Sequence, residues 1–263
     1  MVTVKVWGEL ACFTRPELKV ERLSYPIMTP SAARGVLEAI MWKPQMSWHI
    51  RRISVLPPPH RPPDPSRPPY EFMSIRRNEI SGRISPGTIK GWMSDASSFQ
   101  PLFVDSAGRE SVGGANRTQR NTLALRDVAY LIHASPVLTP KANQPRTRIA
   151  EVDEPEGPDT EIKYASMFER RVRKGQCFHH PYLGCREFAC SFAPADGTEE
   201  PVNWSESLGL MLYDIRFSPD GRNLPGFFRA EIRRGVLHCD TRDQGIDGEP
   251  PIEVVGWPKE VMI

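Results

Sequence analysis

The run EIKYASMFERRVRKGQ, Glu161 to Gln176, sets a lysine and a tyrosine side by side at the head of a helix-forming segment. At 3.6 residues per turn, Lys163, Arg170 and Lys174 share one side, and Ile162, Ala165, Phe168 and Val172 share the other. The apolar side suits a core and the basic side suits phosphates. Lys163 stands in the first turn, near the positive pole of the helix. Tyr164 is expected at the edge of the apolar stripe, a poor core position but a reasonable place to meet a phosphate. The chain has no P-loop, no G-x-G-x-x-G, no G-x-S-x-G and no carboxylate cluster suited to paired magnesium ions. Lysine, tyrosine and histidine are what remain for chemistry. They suffice for one reaction without metal: RNA brings its own nucleophile, the 2′-hydroxyl. The protein then has to align the strand, move protons and offset charge on a pentavalent phosphorane.

Three further basic clusters accompany that helix: Arg51 with Arg52, Arg76 with Arg77, and Arg117 with Arg120. Asparagine and glutamine are interleaved with them, as RRNE and RTQRN, and such side chains read base edges or backbone. Net charge cannot supply the argument for a polyanion, because 34 Lys and Arg stand against 32 Asp and Glu. Local clustering does, since the acids gather elsewhere, in EVDEPEGPDTE and DGTEEP. Trp42, Trp48, Tyr70 and Phe72 are candidates both for base stacking and for the core. Cys185 and Cys190 lack the spacing and neighbours of a zinc pair, so free, mostly buried thiols are expected from the five cysteines. His179-His180 has no Cys or carboxylate partner at ligand spacing, so neither a metal nor a cofactor is expected.

Two helices and several strands must position these residues. TVKVWGELACF alternates as a strand does, and TPSAARGVLEAIMWKP reads as a helix. Thr29 caps that helix, Ala33, Val36, Leu37, Ile40 and Met41 form its buried face, and Pro44 stops it. Gly35 within it suggests a close backbone approach. HIRRISVL is a second strand, and the proline-rich run from Pro57 opens an insertion over about 57–122. The insertion carries a hairpin, with EFMSIRRNEI and QPLFVD as strands and SVGGANR as a turn. ALRDVAYLIHASPVL has apolar residues on both faces and reads as a central strand. The basic helix, ending at Gly175, and the strand GCREFACSF follow. The segments LGLMLYDIRFS, PDGR and FFRAEIRRGVLHC then read as an antiparallel appendix with a turn. The order strand, helix, strand, insertion, strand, helix, strand predicts an α+β, ferredoxin-like βαββαβ domain over 1–195, an arrangement shared with RRM domains, followed by a C-terminal β-sheet domain over 196–263. No apolar run approaches the length of a membrane helix, and a cytoplasmic protein with no membrane partner is expected.

Four stretches carry a family resemblance: WGELACFTRPELKVERLSYPIMTPSAARGVLEAIMWKP, RRNEI, NRTQRNTLALRDVAYLIHA and RRVRKGQCFHHPYLGCREFACSF. They resemble the subtype I-C (Dvulg) branch of CRISPR-associated Cas family five. The resemblance implies a RAMP-type fold with a β-hairpin insertion and a small C-terminal β domain. It also implies an endoribonuclease that cuts the CRISPR precursor transcript at the repeat hairpin without metal, leaving 5′-OH and 2′,3′-cyclic phosphate ends. The family's protein then stays on the 5′ handle of the guide, beside the other subunits of the type I-C interference complex; duplex DNA is left open as a further partner. The family's helix begins Gly-Lys-His where this chain has Ile162-Lys163-Tyr164, so the lysine carries over and the histidine is replaced by Tyr164. A further aromatic or histidine is expected just before WKP, where Met41 stands. His133 or His49 is expected to take over the missing proton transfer. The competing reading is a scaffold subunit that holds the guide-RNA handle without cutting.

Overall fold

The computed structural model describes residues 1–18, 20–61, 64, 67–80, 84–100, 117–142, 158–217, 221, 223–242 and 249–257. Its architecture is α+β and dominated by antiparallel sheet. β1 (Val2–Ala11) alternates as expected, with Val2, Val4 and Val6 buried. After a two-residue strand β2 (Arg22–Leu23), helix α1 (Pro30–Ile40) starts at Thr29, whose hydroxyl accepts from the Ala32 amide at 3.2 Å. Pro30 occupies the first turn, where its missing N–H costs nothing. The buried face holds Ala33, Val36, Leu37 and Ile40, and Met41 is buried just beyond it.

β3 (Met46–Val55) and β5 (Arg117–Leu138) complete the centre. Strand order along the sheet is β6-β1-β5-β3-β9-β8-β7, with β6 at Ser191–Pro194, β7 at Glu206–Phe217, β8 at Asn223–Arg233 and β9 at Val236–His238. β5 is central, as its two apolar faces require, with β1 antiparallel on one side and β3 on the other. Helix α3 (Glu161–Arg173) and α1 contribute to one apolar core with Val4, Tyr130, Ile132, Trp48 and Ile53. Leu56, Ala129 and Leu131 form a separate small cluster, with Trp7 packed against it. The alternation of each strand therefore sorts side chains into a helix-covered face and an opposite face.

The amino-terminal half of β5 runs out of this sheet as a ribbon. Residues 117–125 pair with β4 (Phe72–Ile80), so the expected strand EFMSIRRNEI forms but takes the start of β5 as its partner. The expected partner strand at 100–105 and the turn at 111–117 fall almost wholly outside the described residues. A helix the sequence reading missed, α2 (Pro86–Ser94), follows β4; its signal was Ser85-Pro86, and the Ser85 hydroxyl accepts from Thr88 N at 3.0 Å. It has no buried residue, although Ile89, Trp92 and Met93 recur at helical spacing along it. GCREFACSF becomes strand only at Ser191, preceded by a turn closed by a single bridge between Tyr182 and Ala189. The expected division at 195/196 falls between β6 and β7. Across it, β9 hydrogen-bonds β3 from Arg52 to Ser54, and Met211, Phe228, Ile232 and Leu237 belong to the same core cluster as β1 and α1. β8 turns into β9 through Arg234 and Gly235, both in the left-handed region at φ 47° and 76°.

One expectation needs correction. Gly35 is exposed, and a Cβ built there meets nothing within 4 Å, so no close packing explains it. Gly35→Ala should therefore stabilise the fold by about 0.5–1 kcal/mol, by lowering the entropy of the unfolded chain. Urea unfolding checks this; an unchanged or lowered midpoint would mean that α1 is constrained at this turn.

Candidate active site at the start of the second core helix

The chain enters α3 through Pro158, Asp159 and Thr160. Thr160 caps the helix, its hydroxyl accepting from the Lys163 amide at 3.1 Å. A lysine in a first turn faces the positive end of the helix, which disfavours it. Asp159 offsets this: its carboxylate lies 3.4 Å from Lys163 Nζ and accepts from the Tyr164 hydroxyl at 2.7 Å. The Asp159 side chain is 2% exposed and that of Lys163 12%. The three groups form one nearly dry cluster, in which a charge acts more strongly than it would in water. Asp159 is the residue the sequence reading missed, although its i, i+4 spacing to Lys163 was a readable signal.

The phase of α3 also differs from expectation. Tyr164, Met167, Phe168 and Val172 make the buried stripe, while Ile162 is 79% exposed. Tyr164 is a core residue, not an edge one, because Asp159 satisfies its hydroxyl in the interior. Phe168 packs edge-on against Trp48 with ring centroids 4.7 Å apart, and Trp48 donates to the Met41 carbonyl at 2.9 Å. Arg170 and Lys174 are exposed along the Lys163 side, as expected from their spacing. Gly175, at φ 63°, closes the helix, and three arginines in the last turn complement its negative end.

His133 does not join this cluster. It pairs with Thr3 on β1 and with Arg52 on β3, and its Nδ1 lies 3.1 Å from the Thr3 hydroxyl. Its neighbours Ile132 and Ala134 point into the helix-covered core, so His133 stands on the other face of the sheet. His49 is likewise placed elsewhere, with its Nε2 2.9 Å from Asp240. Burial holds its imidazole below the usual range, and the Asp240 hydrogen bond opposes that shift. Met41 is fully buried.

The arginine clusters separate into two kinds. Arg51 lies 2.7 Å from Asp240, with side-chain exposures of 14% and 6%, so it serves the fold. Arg52 stands beside it, half-buried, opposite His133. On the ribbon, Arg76 is exposed and pairs in register with Asn121, while Arg77 stands directly opposite Arg120. Like charges across a ladder repel. Glu187, which bonds both Arg77, at 3.0 Å, and Arg22, relieves part of that repulsion. The Arg117 side chain lies outside the described residues. Trp42, Phe72 and Phe178 are exposed aromatics, whereas Trp48 is core and Tyr70 packs on Trp204 at 5.3 Å. His179 and His180 are both exposed. Among the described residues, no three His, Cys, Asp or Glu side chains gather in a metal-holding group, and no helix is long and apolar enough to cross a membrane.

These two kinds of arginine should behave differently. Arg51→Ala should cost about 3 kcal/mol of unfolding free energy, because it leaves Asp240 buried without its cation. Arg76→Ala should stay within about 0.5 kcal/mol. Equal losses in denaturant titrations of the two variants would contradict the assignment.

Residues 1–240 match a family described as CRISPR-associated protein (Cas_Cas5), under the family name Cas_Cas5d. A Mannheimia succiniciproducens protein named CRISPR pre-crRNA endoribonuclease Cas5d is 41% identical over 243 residues, covering 90% of this chain and 93% of its own. A Thermus thermophilus protein of the same name is 41% identical over 251 residues, 89% of each chain. Among solved structures, one titled as a CRISPR-associated protein aligns with a TM-score of 0.56 at 18% identity, covering 93% of this chain and 94% of that one. A functionally uncharacterized Streptococcus mutans protein aligns at 0.55 and 16%, covering 90% of each. At such identities these two speak to the fold alone. The family match and the two relatives agree over nearly the whole chain, which belongs to the Cas5d family of CRISPR-associated proteins.

Proposed function

We propose that this chain is an endoribonuclease that cuts CRISPR precursor RNA at the repeat hairpin without metal and then stays on the 5′ handle as a subunit of the type I-C interference complex. The names of the two curated relatives support the endoribonuclease. The observation that carries the chemistry is the cluster of Asp159, Lys163 and Tyr164 at the head of α3. The sheet order β6-β1-β5-β3, antiparallel throughout, with α1 and α3 as its two crossovers, supports a ferredoxin-like reading of the scaffold.

In this reading the 2′-oxygen attacks the adjacent phosphorus in line. The new 2′-O–P bond forms as the bond to the 5′-oxygen breaks; the 2′-hydroxyl gives its proton to water and the departing 5′-oxygen takes one up from water, giving a 2′,3′-cyclic phosphate and a 5′-hydroxyl. Negative charge grows on the non-bridging oxygens, and the Lys163 ammonium, held beside a positive helix end, offsets it. Asp159 keeps the lysine in place. Tyr164, 1% exposed and donating to Asp159, is a positioning residue that anchors the helix start. Arg170 and Lys174 continue the phosphate track along the helix, and Arg76, Arg77 and Arg120 hold RNA along the ribbon.

The test is a repeat RNA with a single 2′-deoxy nucleotide just 5′ of the scissile bond, beside an all-ribose control, both in excess chelator. The control should be cut to cyclic-phosphate and 5′-OH ends, while the deoxy RNA should bind about equally and remain whole. Cutting of the deoxy RNA, or cutting only with magnesium, would overturn the mechanism. An intact control bound by folded protein would favour the scaffold reading, toward which the buried Met41 points.

A further inference from the structure

Two thiols meet where the ribbon leaves the sheet. Cys12 directly follows β1 and is fully buried; Cys185 opens a tight turn and is half-buried. They are 173 residues apart in sequence, yet Cys185 Sγ lies 3.6 Å from the Cys12 carbonyl oxygen. The backbones are held together by Cys12 N donating to Leu183 O at 3.0 Å, and Phe188 N closes the turn on Cys185 O at 3.0 Å. Gly184 lies between, at φ 84°, and a Cβ there would sit 2.1 Å from the Cys12 carbonyl oxygen. Only glycine allows this approach. Cys12 forms a small cluster with Ala124 and Phe188, and Cys185 packs against that cluster. Charge surrounds them: Arg22 and Arg77 converge on Glu187, two residues beyond Cys185.

We propose that Cys185 is a peroxide-reactive thiolate and that Cys12 is the thiol that resolves its oxidation into an intramolecular disulfide. In the first step the Cys185 sulfur attacks one peroxide oxygen. An S–O bond forms, the O–O bond breaks, and the peroxide leaves as hydroxide, which takes up a proton; sulfur is oxidised by two electrons to a sulfenic acid. The Cys12 sulfur then attacks the Cys185 sulfur. The S–S bond forms, the S–O bond breaks, and the departing hydroxide accepts the Cys12 proton as water. Reduction by a small thiol restores both groups.

The surroundings divide the two roles. Interaction with the Cys12 side chain lowers Cys185 to about 7, Arg22 and Arg77 add to that, and burial and Glu187 oppose it. The Cys12 carbonyl, 3.6 Å from the Cys185 sulfur, also opposes the thiolate. Cys12 moves the other way: its bond to Cys185 and its burial raise it, so it keeps its proton until it attacks. Reactive cysteines sit in such cationic, partly open places, while Cys190 and Cys239 are buried with burial raising both.

The test uses the full chain, reduced, desalted and exposed to a few equivalents of hydrogen peroxide, then blocked with iodoacetamide and digested. Mass spectrometry should find a peptide linking Cys12 to Cys185 that disappears after dithiothreitol. In Cys12→Ser, dimedone should label Cys185 as a persistent sulfenic acid. In untreated wild type, the alkylation rate of Cys185 should rise with pH to half its plateau near 7. Oxidation of Cys177 with Cys185 still alkylatable, or dimedone on Cys12 in place of Cys185, would overturn the proposal. Since the linkage is read on wild type, a variant that fails to fold does not blunt the result.

Discussion

A single carboxylate organises the start of α3. Asp159 is almost without solvent, and a buried carboxylate is costly unless its oxygens are satisfied. The Lys163 ammonium and the Tyr164 hydroxyl satisfy it together. The same contact lets a tyrosine oxygen stand in the core, and it brings a lysine to a helix end that would otherwise repel it. Removing either partner takes from Asp159 one of the groups that offset its burial.

The remainder of the fold supports that point. α3 can hold its phase only because Met167, Phe168 and Val172 have a sheet to pack on, and Trp48 ties that sheet to the end of α1. β9 extends the sheet from the free side of β3, so the late strands share the core of the early ones. The ribbon of β4 and β5 leaves at the opposite end of β1 from the Thr3–His133 pair, carrying Arg76, Arg77 and Arg120 outward. Arg51 sits in a nearly buried ion pair, whereas Arg76 on the ribbon and Arg170 on α3 are exposed.

Much of this was legible in the residues. Thr29-Pro30 and the i, i+3, i+4 spacing marked α1, alternation marked β1, and two apolar faces marked β5 as central. Less was legible where a distant partner decided the outcome. Periodicity alone put Ile162 inside and Tyr164 at the edge; Tyr164 is instead buried, its hydroxyl donating to Asp159 outside the helix. Alternation placed His133 correctly among Ala129 and Leu131, but nothing local said that the helices would cover the other face. Nothing local in the sequence told that Arg51 would meet Asp240, nearly 190 residues later. The family resemblance located Lys163 and left its neighbours to the structure.

The central claim is that the Lys163 ammonium acts mainly on charge that develops during cleavage. Its most direct test is single-turnover cutting of repeat RNA by Lys163→Ala, with equilibrium binding measured on the same variant. The account predicts a loss of cleavage by at least about a hundredfold, with affinity changed by less than about tenfold, since only an interaction made in the transition state separates rate from binding. A variant that cuts at the wild-type rate, or one whose entire defect is recovered by saturating protein, would contradict it.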